Sequence, residues 1–406
     1  MVIQKNVQLK QLRSMLRTVL LVLIAQQLFT EDKKYTWRMG YRGLMMNRTD
    51  ALRTKMTEEG VDFVALGPGA HLQWLTGMHP HADERPLLMG VTQGYAGLLM
   101  PALEAESARS QTDLPFHTWS DADGPEAAFA ELMKAAGAAS AKSVVLDETM
   151  RADFAALVQD AIPTAARQFT VTTVGALRMR KDDNEYQALK RNALTADTAM
   201  QAAWAAMAPG MTETQVANVV RESFAAQGVK PLFTIVGSGG NGAFPHHQTG
   251  EAIINKGDAV VMDIGGGMDG YSSDITRMAL IGEAPDGYQE IHDIVERAVQ
   301  AAMAAARPGV RAHVVDDAAR EVITDAGYGE YFVHRTGHGM GVEVHETPYI
   351  TASSQTVLDE GMVFSIEPGI YLPGRFGLRL EDIVILRADG PEILSELPRE
   401  ARIIAV

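Results

Sequence analysis

The chain has 406 residues, of which 46% are hydrophobic and 21% charged, and its formal net charge is −15. This composition is typical of a globular protein of two or three domains and excludes disordered and fibrous chains. The acidic balance disfavours nucleic-acid binding, because phosphate groups would be repelled. Because the sequence has no cysteine, any metal must be held by His, Asp or Glu, and disulfides and cysteine nucleophiles are excluded.

Residues 1–45 differ in composition from the rest of the chain. Lys and Arg outnumber Asp and Glu there, and Val19–Ala25 is an apolar run behind basic residues, as in a signal peptide. The run is shorter than the roughly 20 residues that span a bilayer, and no small-residue cleavage site follows it. We therefore expect an extension that is disordered or outside the fold, translated from a start upstream of Met45 or Met46; export or anchoring is the alternative.

Short apolar runs alternate with helical patterns over residues 46–175. We predict helices over 50–59, 125–137 and 152–159, and strands over 61–66, within 87–100, over 142–146 and over 169–174. Such alternation is typical of an α/β domain. A second domain is predicted over 176–406, and Asp182 with Glu185 forms a capping pair at the start of its first long helix.

The second domain contains an internal repeat. Pro209-Gly210 recurs 99 residues later as Pro308-Gly309. Each pair precedes a helical pattern, and the two patterns end at Gly228 and Gly327, again 99 residues apart. We therefore expect two related units packed about a pseudo-twofold axis.

Polar residues occupy equivalent positions in the two units. His246 corresponds to His345, and the acidic residues of one unit correspond to those of the other. Packing about a pseudo-twofold axis would bring these side chains together at the centre. The acidic equivalents are Asp263 with Glu367 and Asp274 with Glu381.

Three of these acids lie inside apolar strand patterns. They are Asp263, Glu367 and Glu381. Burying a carboxylate costs several kcal/mol unless hydrogen bonds, an arginine or a metal compensates for the lost water. Hydrogen bonding or arginine pairing is the structural explanation, and metal binding is the functional one.

The spacing of the acids favours a metal. Asp263 and Asp274 flank a glycine-rich turn, which we place at Met268-Asp269, so that the two acids face each other across a hairpin. The second acidic pair flanks a turn at 373–377 in the same manner. Two such pairs at equivalent positions suit two divalent cations bridged by carboxylates.

His338 is a candidate nitrogen ligand among the glycines of 336–341. It has no histidine counterpart, since the offset of 99 gives Gly239, and the alternative is an ordinary loop residue. Four carboxylates and one imidazole form a hard, oxygen-rich ligand set. Such a set favours Mn²⁺, with Co²⁺, Fe²⁺ or Zn²⁺ as alternatives.

These residues resemble those of the pita-bread metallopeptidases: aminopeptidase P, prolidase and methionine aminopeptidase. The matching stretches are MDIGGGMDGYSSDITR (262–277), HRTGHGMGVEVHE (334–346), SIEPGIY (365–371) and GLRLEDIVIL (377–386), with a looser match over 46–175. The resemblance implies an α/β creatinase/prolidase-like N-terminal domain. It also implies an α+β pita-bread catalytic domain with an internal pseudo-twofold duplication.

The resemblance also implies roles for individual residues. The ligands of a dinuclear centre would be Asp263, Asp274, His338, Glu367 and Glu381. Glu367 would also accept the proton of the attacking water and pass it towards the leaving nitrogen. His246 and His345 would hydrogen-bond the tetrahedral intermediate, and His334 and Arg379 would contact the substrate or the ligands.

The resemblance implies hydrolysis of the Xaa-Pro peptide bond. The favoured substrates are dipeptides, which prolidase cleaves. Aminopeptidase P activity on longer peptides is the alternative. Methionine aminopeptidase is a rival that generally lacks the N-terminal domain. A metal-free creatinase-like enzyme or an inactive binding module is less favoured, because none of the five ligands is missing.

Arg85 is our candidate for dipeptide selection, because arginine suits recognition of a free carboxylate. A surface salt bridge with Asp83 or Glu84 is the alternative explanation for this residue. A GxGxxG pattern at 237–242 suggests a dinucleotide site, but no helical pattern follows it. We further expect a peptide substrate, a homodimer, no membrane partner and a cytoplasmic location.

Overall fold

The structure, a computed structural model, describes residues 48–406. The extension predicted for residues 1–45 lies outside the described residues. The chain divides after Thr173 into two compact units. Within residues 48–406, no helix combines the length and the apolar character needed to cross a membrane.

The first unit is an α/β sheet with short helices. Its helices are α1 (48–58), α2 (Ala70–Thr76), α3 (Ala102–Ala108), α4 (Glu126–Ala136) and α5 (Ala152–Ala161). Its strands are β1 (Phe63–Leu66), β2 (Leu88–Val91), β3 (Ala96–Pro101), β4 (Phe116–Trp119), β5 (Ser143–Leu146) and β6 (Ala166–Phe169). Among residues 48–173 the strand order is β4-β3-β2-β1-β5-β6, and only β2 runs antiparallel to its neighbours.

The last strand of this unit differs from the sequence prediction. We predicted a strand over 169–174, but β6 ends at Phe169. The backbone N–H of Thr170 donates to the Glu148 carboxylate at 3.1 Å, and its hydroxyl donates to the same group at 2.7 Å. These bonds turn the chain into a short 3-10 helix and end the strand. The pattern also failed to predict α2, α3 and β4, which are short.

The second unit carries longer elements. Its helices are α6 (Val174–Met179), α7 (Asp183–Ala206), α8 (Glu213–Ala226), α9 (Tyr288–Ala305) and α10 (Ala312–Asp325). Its first strands are β7 (Lys230–Ser238), β8 (Ala259–Met268), β9 (Tyr271–Ser272) and β10 (Ile275–Ile281). The remaining strands are β11 (Gly337–Gly339), β12 (Glu346–Ile350), β13 (Val363–Ile366), β14 (Gly369–Leu372), β15 (Phe376–Arg379), β16 (Asp382–Arg387), β17 (Gly390–Ile393) and β18 (Arg402–Ile404).

Two sheets and their helices form the layers of this unit. Among residues 174–406, one large sheet has the order β18-β10-β8-β7 with β9 on β8, a second has the order β12-β11-β13-β16-β17, and β14 and β15 form a small two-stranded sheet. Helices α7 and α8 pack on the first sheet, and α9 and α10 share a core with strands of both sheets. We call residues 183–281 the first repeat and residues 288–387 the second repeat.

Backbone hydrogen bonds confirm the duplication. Helices α8 and α10 have 14 residues each and start 99 residues apart. Before each helix a glycine N–H donates to a carbonyl of the same repeat: Gly210 to Ile254 at 2.9 Å, and Gly309 to Leu358 at 2.8 Å. The capping box predicted at the start of α7 is formed, and α8 also begins with a capping box, between Thr212 and Gln215.

Candidate metal centre

The alternation of β8 directs Asp263 towards the centre of the second unit. Val260 and Met262 belong to the core formed with α7 and α8. Ala259 and Val261 point the opposite way, into the core shared with α9 and α10. Because successive strand residues alternate between faces, Asp263 lies on this second face. A carboxylate of the first repeat is thereby aimed at the second repeat.

The hairpin turn lies one residue later than we predicted, at Asp269-Gly270. Both residues have positive φ, 56° and 80°, as a two-residue type I′ turn requires, and Asp-Gly is a favoured pair for it. Asp263 therefore pairs with Thr276, and the prediction that it faces Asp274 was wrong. Asp274 is two residues before Thr276, so it still shares the face of Asp263 on the diagonal.

In the second repeat the acids do face each other. Ile366 pairs with Asp382 at the end of β13, and the β14–β15 hairpin continues the same register. This register sets Glu367 opposite Glu381, as predicted. Each acid lies where one pair of strands ends and the next begins.

Glycines on both sides of His338 permit the close approach of neighbouring backbone. A Cβ on Gly337 would lie 1.9 Å from the carbonyl oxygen of Ser365, and one on Gly339 would lie 2.3 Å from that of Thr347. No side chain fits at either position. The backbone N–H of His338 donates to Ser365 Oγ at 2.9 Å, which fixes the strand.

The ring of His338 points one nitrogen at the acids. Its Nδ1 lies 3.1 Å from the carbonyl oxygen of Gly339. Its Nε2 lies 3.3 Å from Glu367 Oε1 and 3.6 Å from Asp274 Oδ2. Burial lowers the pKa of His338 to about 3, so the ring is neutral and Nε2 can serve as a metal ligand.

The acids raise one another's pKa values. Burial, reinforced by the neighbouring carboxylates, holds the pKa of Asp274 and that of Glu381 well above their usual range. Burial also raises the pKa of Glu367 to about 7, against an opposing influence of Arg379. The crowding of negative charge is therefore not balanced by the cationic side chains around it.

This imbalance fits divalent cations. Ligand atoms of Asp274, His338 and Glu381 lie within 4.8 Å of one another, and all three side chains are buried. The Oδ1 atoms of Asp263 and Asp274 are buried and have no hydrogen-bond partner among the described residues. Carboxylates and a neutral imidazole with unused lone pairs are the donors that such cations take.

Arg379 organises the wall beside the acids. Its Nη2 donates to Asp263 Oδ2 at 2.6 Å, its Nη1 to the Tyr371 hydroxyl at 2.7 Å, and its Nε to Thr276 Oγ1 at 3.0 Å. Thr276 in turn donates to Glu381 Oε2 at 2.7 Å. The predicted pairing of Arg379 with a carboxylate of the site is therefore present.

His334 extends this network. Its Nδ1 donates to the carbonyl oxygen of Arg335 at 2.7 Å, so its Nε2 accepts from the Tyr371 hydroxyl at 2.7 Å. Burial lowers the pKa of His334 to about 3, which keeps the ring neutral. Tyr371 and Thr276 were not predicted from the sequence as residues of the site. Thr276 could have been found from its spacing, because it follows Asp274 by two residues and so shares its face of the strand.

One cavity of about 540 Å³ brings the site together. It is lined by Phe233, Ile235, Pro245, His246, Asp263, Asp274, His334, Arg335, His338, Val344, His345, Glu367, Arg379 and Glu381. The rings of His345 and His338 are 4.1 Å apart between centroids, and burial lowers the pKa of His345. The exposed His246 lies at the same cavity.

Two other predictions concern Arg85 and the GxGxxG stretch. In the first unit, Arg85 Nε lies 3.0 Å from Asp121 Oδ1, and its Nη1 lies 3.0 Å from Glu84 Oε1. Its role in substrate selection stays a prediction. The GxGxxG stretch at 237–242 enters a 3-10 helix instead of an α-helix, and its Gly242 packs against the backbone of Gly377.

Two family models match the chain. Residues 48–180 match the creatinase/prolidase N-terminal domain. Residues 187–388 match metallopeptidase family M24. All five candidate ligands lie within the second match.

The chain is similar to curated proteins over most of its length. It is 38% identical over 356 residues to a probable dipeptidase PepE of Mycobacterium bovis, covering 86% of this chain and 94% of that protein. It is 33% identical over 347 residues to an Xaa-Pro dipeptidase of Pyrococcus horikoshii, covering 85% of this chain and 95% of that protein.

Solved structures share the fold. The dipeptidase PepE of Mycobacterium ulcerans superposes with a TM-score of 0.85 at 36% identity, covering 90% of this chain and 99% of that one. An X-Pro aminopeptidase of Thermotoga maritima superposes with a TM-score of 0.76 at 30% identity, covering 88% of this chain and 99% of that one.

Proposed function

We propose that this chain, which belongs to metallopeptidase family M24, hydrolyses the Xaa-Pro peptide bond of dipeptides. The observation that carries the proposal is the convergence of four carboxylates and one imidazole from both repeats on a single cavity. The Xaa-Pro dipeptidase similar to this chain supports the choice of substrate. The presence of all five ligands favours metal-dependent hydrolysis over a metal-free or inactive relative.

Two divalent cations would be held by the five ligands, and we propose Mn²⁺ because the donor set is rich in oxygen. The ligands are Asp263, Asp274, His338, Glu367 and Glu381. When bound, such cations lower the proton affinity of a water molecule and polarise a carbonyl oxygen.

Glu367 is the proposed proton carrier. Its carboxylate lines the cavity with the other proposed ligands, where it would act as a general base. Ser365 Oγ donates to Glu367 Oε1 at 3.0 Å and orients the carboxylate. Glu367 would take the proton of the attacking water and deliver it to the leaving proline nitrogen.

The histidines act on the substrate carbonyl. His345 is held in the cavity beside His338 and would donate a hydrogen bond to the oxygen on which negative charge develops. His246 reaches the same cavity from the first repeat and would act in the same way. Arg379, fixed by Tyr371 and Thr276, would orient Asp263.

Action on longer peptides is the second candidate. The similarity to an X-Pro aminopeptidase favours it, and the PepE names specify a dipeptide without naming proline. A dipeptide has a free carboxylate next to the scissile bond, and a longer peptide does not. A cationic side chain that binds this carboxylate would therefore favour dipeptidase over aminopeptidase activity. We further propose a homodimer located in the cytoplasm.

Metal analysis joined to peptide hydrolysis tests the proposal. The purified full chain is assayed on Xaa-Pro, Xaa-Ala and Xaa-Pro-Xaa peptides, before chelation, after chelation and after addition of Mn²⁺, Co²⁺ or Zn²⁺. We expect about two bound cations per chain, loss of activity on chelation, recovery with Mn²⁺ and preference for Xaa-Pro. Hydrolysis that survives complete metal removal, or a preference for Xaa-Ala, would contradict it.

A further inference from the structure

The metal-centre cavity is lined by two guanidinium groups, of which one is fully engaged. Arg379 is 3% exposed, and each of its three nitrogens donates to a neighbouring oxygen. It therefore has little capacity left for a ligand. Arg335 is the other guanidinium in the lining.

Arg335 is available to a ligand. Among residues 48–406 its guanidinium has no hydrogen bond or ion pair with any other side chain or with the backbone. It lies half-buried, over the ring of Tyr349 at 4.5 Å from the centroid. Stacking holds one face of the planar group and leaves the edge, with its N–H donors, open.

The position of Arg335 is close to the reaction centre. Tyr349 pairs with His338 across β11 and β12, so the ring beneath Arg335 belongs to the residue opposite a proposed ligand. Arg335 itself is three residues before His338. The guanidinium is thus at the edge of the centre without being part of the acid cluster.

The backbone around Arg335 is fixed before any ligand arrives. The Thr336 N–H donates to Asp316 Oδ1 at 3.0 Å. Arg320 Nη2 donates to the carbonyl oxygen of His334 at 2.9 Å and also binds Asp316. Both neighbours of Arg335 are therefore tied to α10, which lowers the entropy lost when its side chain engages a ligand.

We propose that Arg335 binds the free C-terminal carboxylate of an Xaa-Pro dipeptide and so restricts cleavage to dipeptides. The inference rests on the proposed function. In a dipeptide this carboxylate is bonded to the Cα of the proline and so is separated from the leaving nitrogen by a single carbon. In a longer peptide the same carbon is an uncharged amide, which cannot form a charge-assisted pair with a guanidinium. Because the cavity is rich in acids, a substrate carboxylate also needs a cation to enter it.

The test compares two substrates that differ only in this group, an Xaa-Pro dipeptide and its Xaa-Pro amide. For Arg335→Met we expect kcat/KM on the dipeptide to fall about 100-fold, mainly through KM, and kcat/KM on the amide to change less than about threefold. Arg335→Lys should recover part of the loss, because it restores the charge without the planar fork. Inhibition by free proline should weaken in parallel, and inhibition by prolinamide should not.

Arg387 offers a matched control. Its guanidinium also lies 4.5 Å from a tyrosine ring, that of Tyr186, but it is paired with Glu392 and does not line the cavity. Arg387→Met should leave the ratio of the two substrates unchanged. An equal loss on both substrates for Arg335→Met, or no loss on either, overturns the inference while the proposed function stands. Wild-type protein that cleaves neither substrate after metal reconstitution overturns both.

Discussion

The first and second repeats share their backbone hydrogen bonds but fix their cavity segments with different side chains. In the first repeat the anchor is Glu213, the first residue of α8, whose side chain is fully buried. It accepts from the Ser238 N–H at 2.9 Å and from Asn241 Nδ2 at 2.9 Å, and His247 Nε2 lies 2.8 Å from it. These bonds hold the loop that carries His246.

In the second repeat the anchor is Asp316, the fifth residue of α10. It accepts from the N–H and the hydroxyl of Thr336 at 3.0 and 2.8 Å. The residue equivalent to Glu213 is Ala312, and the residue equivalent to Asp316 is Ala217. Each helix therefore carries one buried carboxylate, at positions that do not correspond. The two repeats therefore share their backbone structure, but each fixes its segment of the cavity wall with a different buried carboxylate.

Removal of a proposed ligand from either repeat should have the largest effect. Asp274→Asn changes the first repeat, and His338→Ala changes the second. Because their ligand atoms lie in one cluster and metal catalysis supplies several kcal/mol, we expect each to lower kcat/KM by about 10³-fold or more. Metal content measured by mass spectrometry should fall in both. His313, which is half-buried and lies 2.9 Å from Asp317 outside the cavity, gives the control His313→Ala. A loss below about tenfold in either ligand variant would show that the repeats contribute unequally.

Removal of the anchors should separate the two repeats. Glu213→Ala and Asp316→Ala each leave buried donors unpaired, so we expect each to lower the free energy of unfolding by about 3 kcal/mol. Scanning calorimetry measures the loss. Asp316→Ala should also weaken the preference for a dipeptide over its amide, because it frees the backbone beside Arg335, and Glu213→Ala should not. Asp317→Ala, on the exposed face of α10, is the control. Equal effects of both anchors on that preference would contradict the assignment.

The pH dependence of metal binding should follow the carboxylates. Because the pKa of Glu367 is raised from 4.5 to about 7 in the metal-free fold, its contribution stabilises that fold below pH 4.5 and is lost as pH rises through 7. Metal binding requires the ionised form, so affinity should fall about tenfold for each pH unit below 7. The rise in Tm on adding Mn²⁺ should therefore be larger at pH 8 than at pH 6. A rise that is equal at both values would contradict this linkage.

The smallest effects should be equal in the two repeats. Gly210 and Gly309 have φ of 91° and 87°, and a Cβ at either would meet nothing within 4 Å. Gly210→Ala and Gly309→Ala should each cost about 1 kcal/mol from backbone strain alone. The shift in Tm measures both. If the two shifts in Tm differ by well more than the error of the measurement, the backbones of the two repeats are not equivalent at these turns.

Residues at the start of the second unit show what sequence patterns do not reveal. Arg178 and Lys181 form part of a polar stretch, which a sequence pattern predicts to be exposed. Both are buried, and both pair with Glu346, Lys181 at 2.6 Å. Their partner is more than 160 residues away in the chain, so local composition carries no signal of it. A charged side chain can therefore be buried when the fold places an oppositely charged side chain next to it.

The sequence by itself determined the duplicated frame and the identity of the candidate ligands. Acids inside apolar strands are costly, and glycine-bounded helices repeat at a constant offset, so both features can be read without coordinates. Only the tertiary structure decided the register of the first hairpin, the network from Thr276 through Arg379 to Tyr371, and the unpaired state of Arg335. These depend on which distant side chains meet across the two repeats, and a hydrogen bond or ion pair between distant residues leaves no periodic trace in either segment.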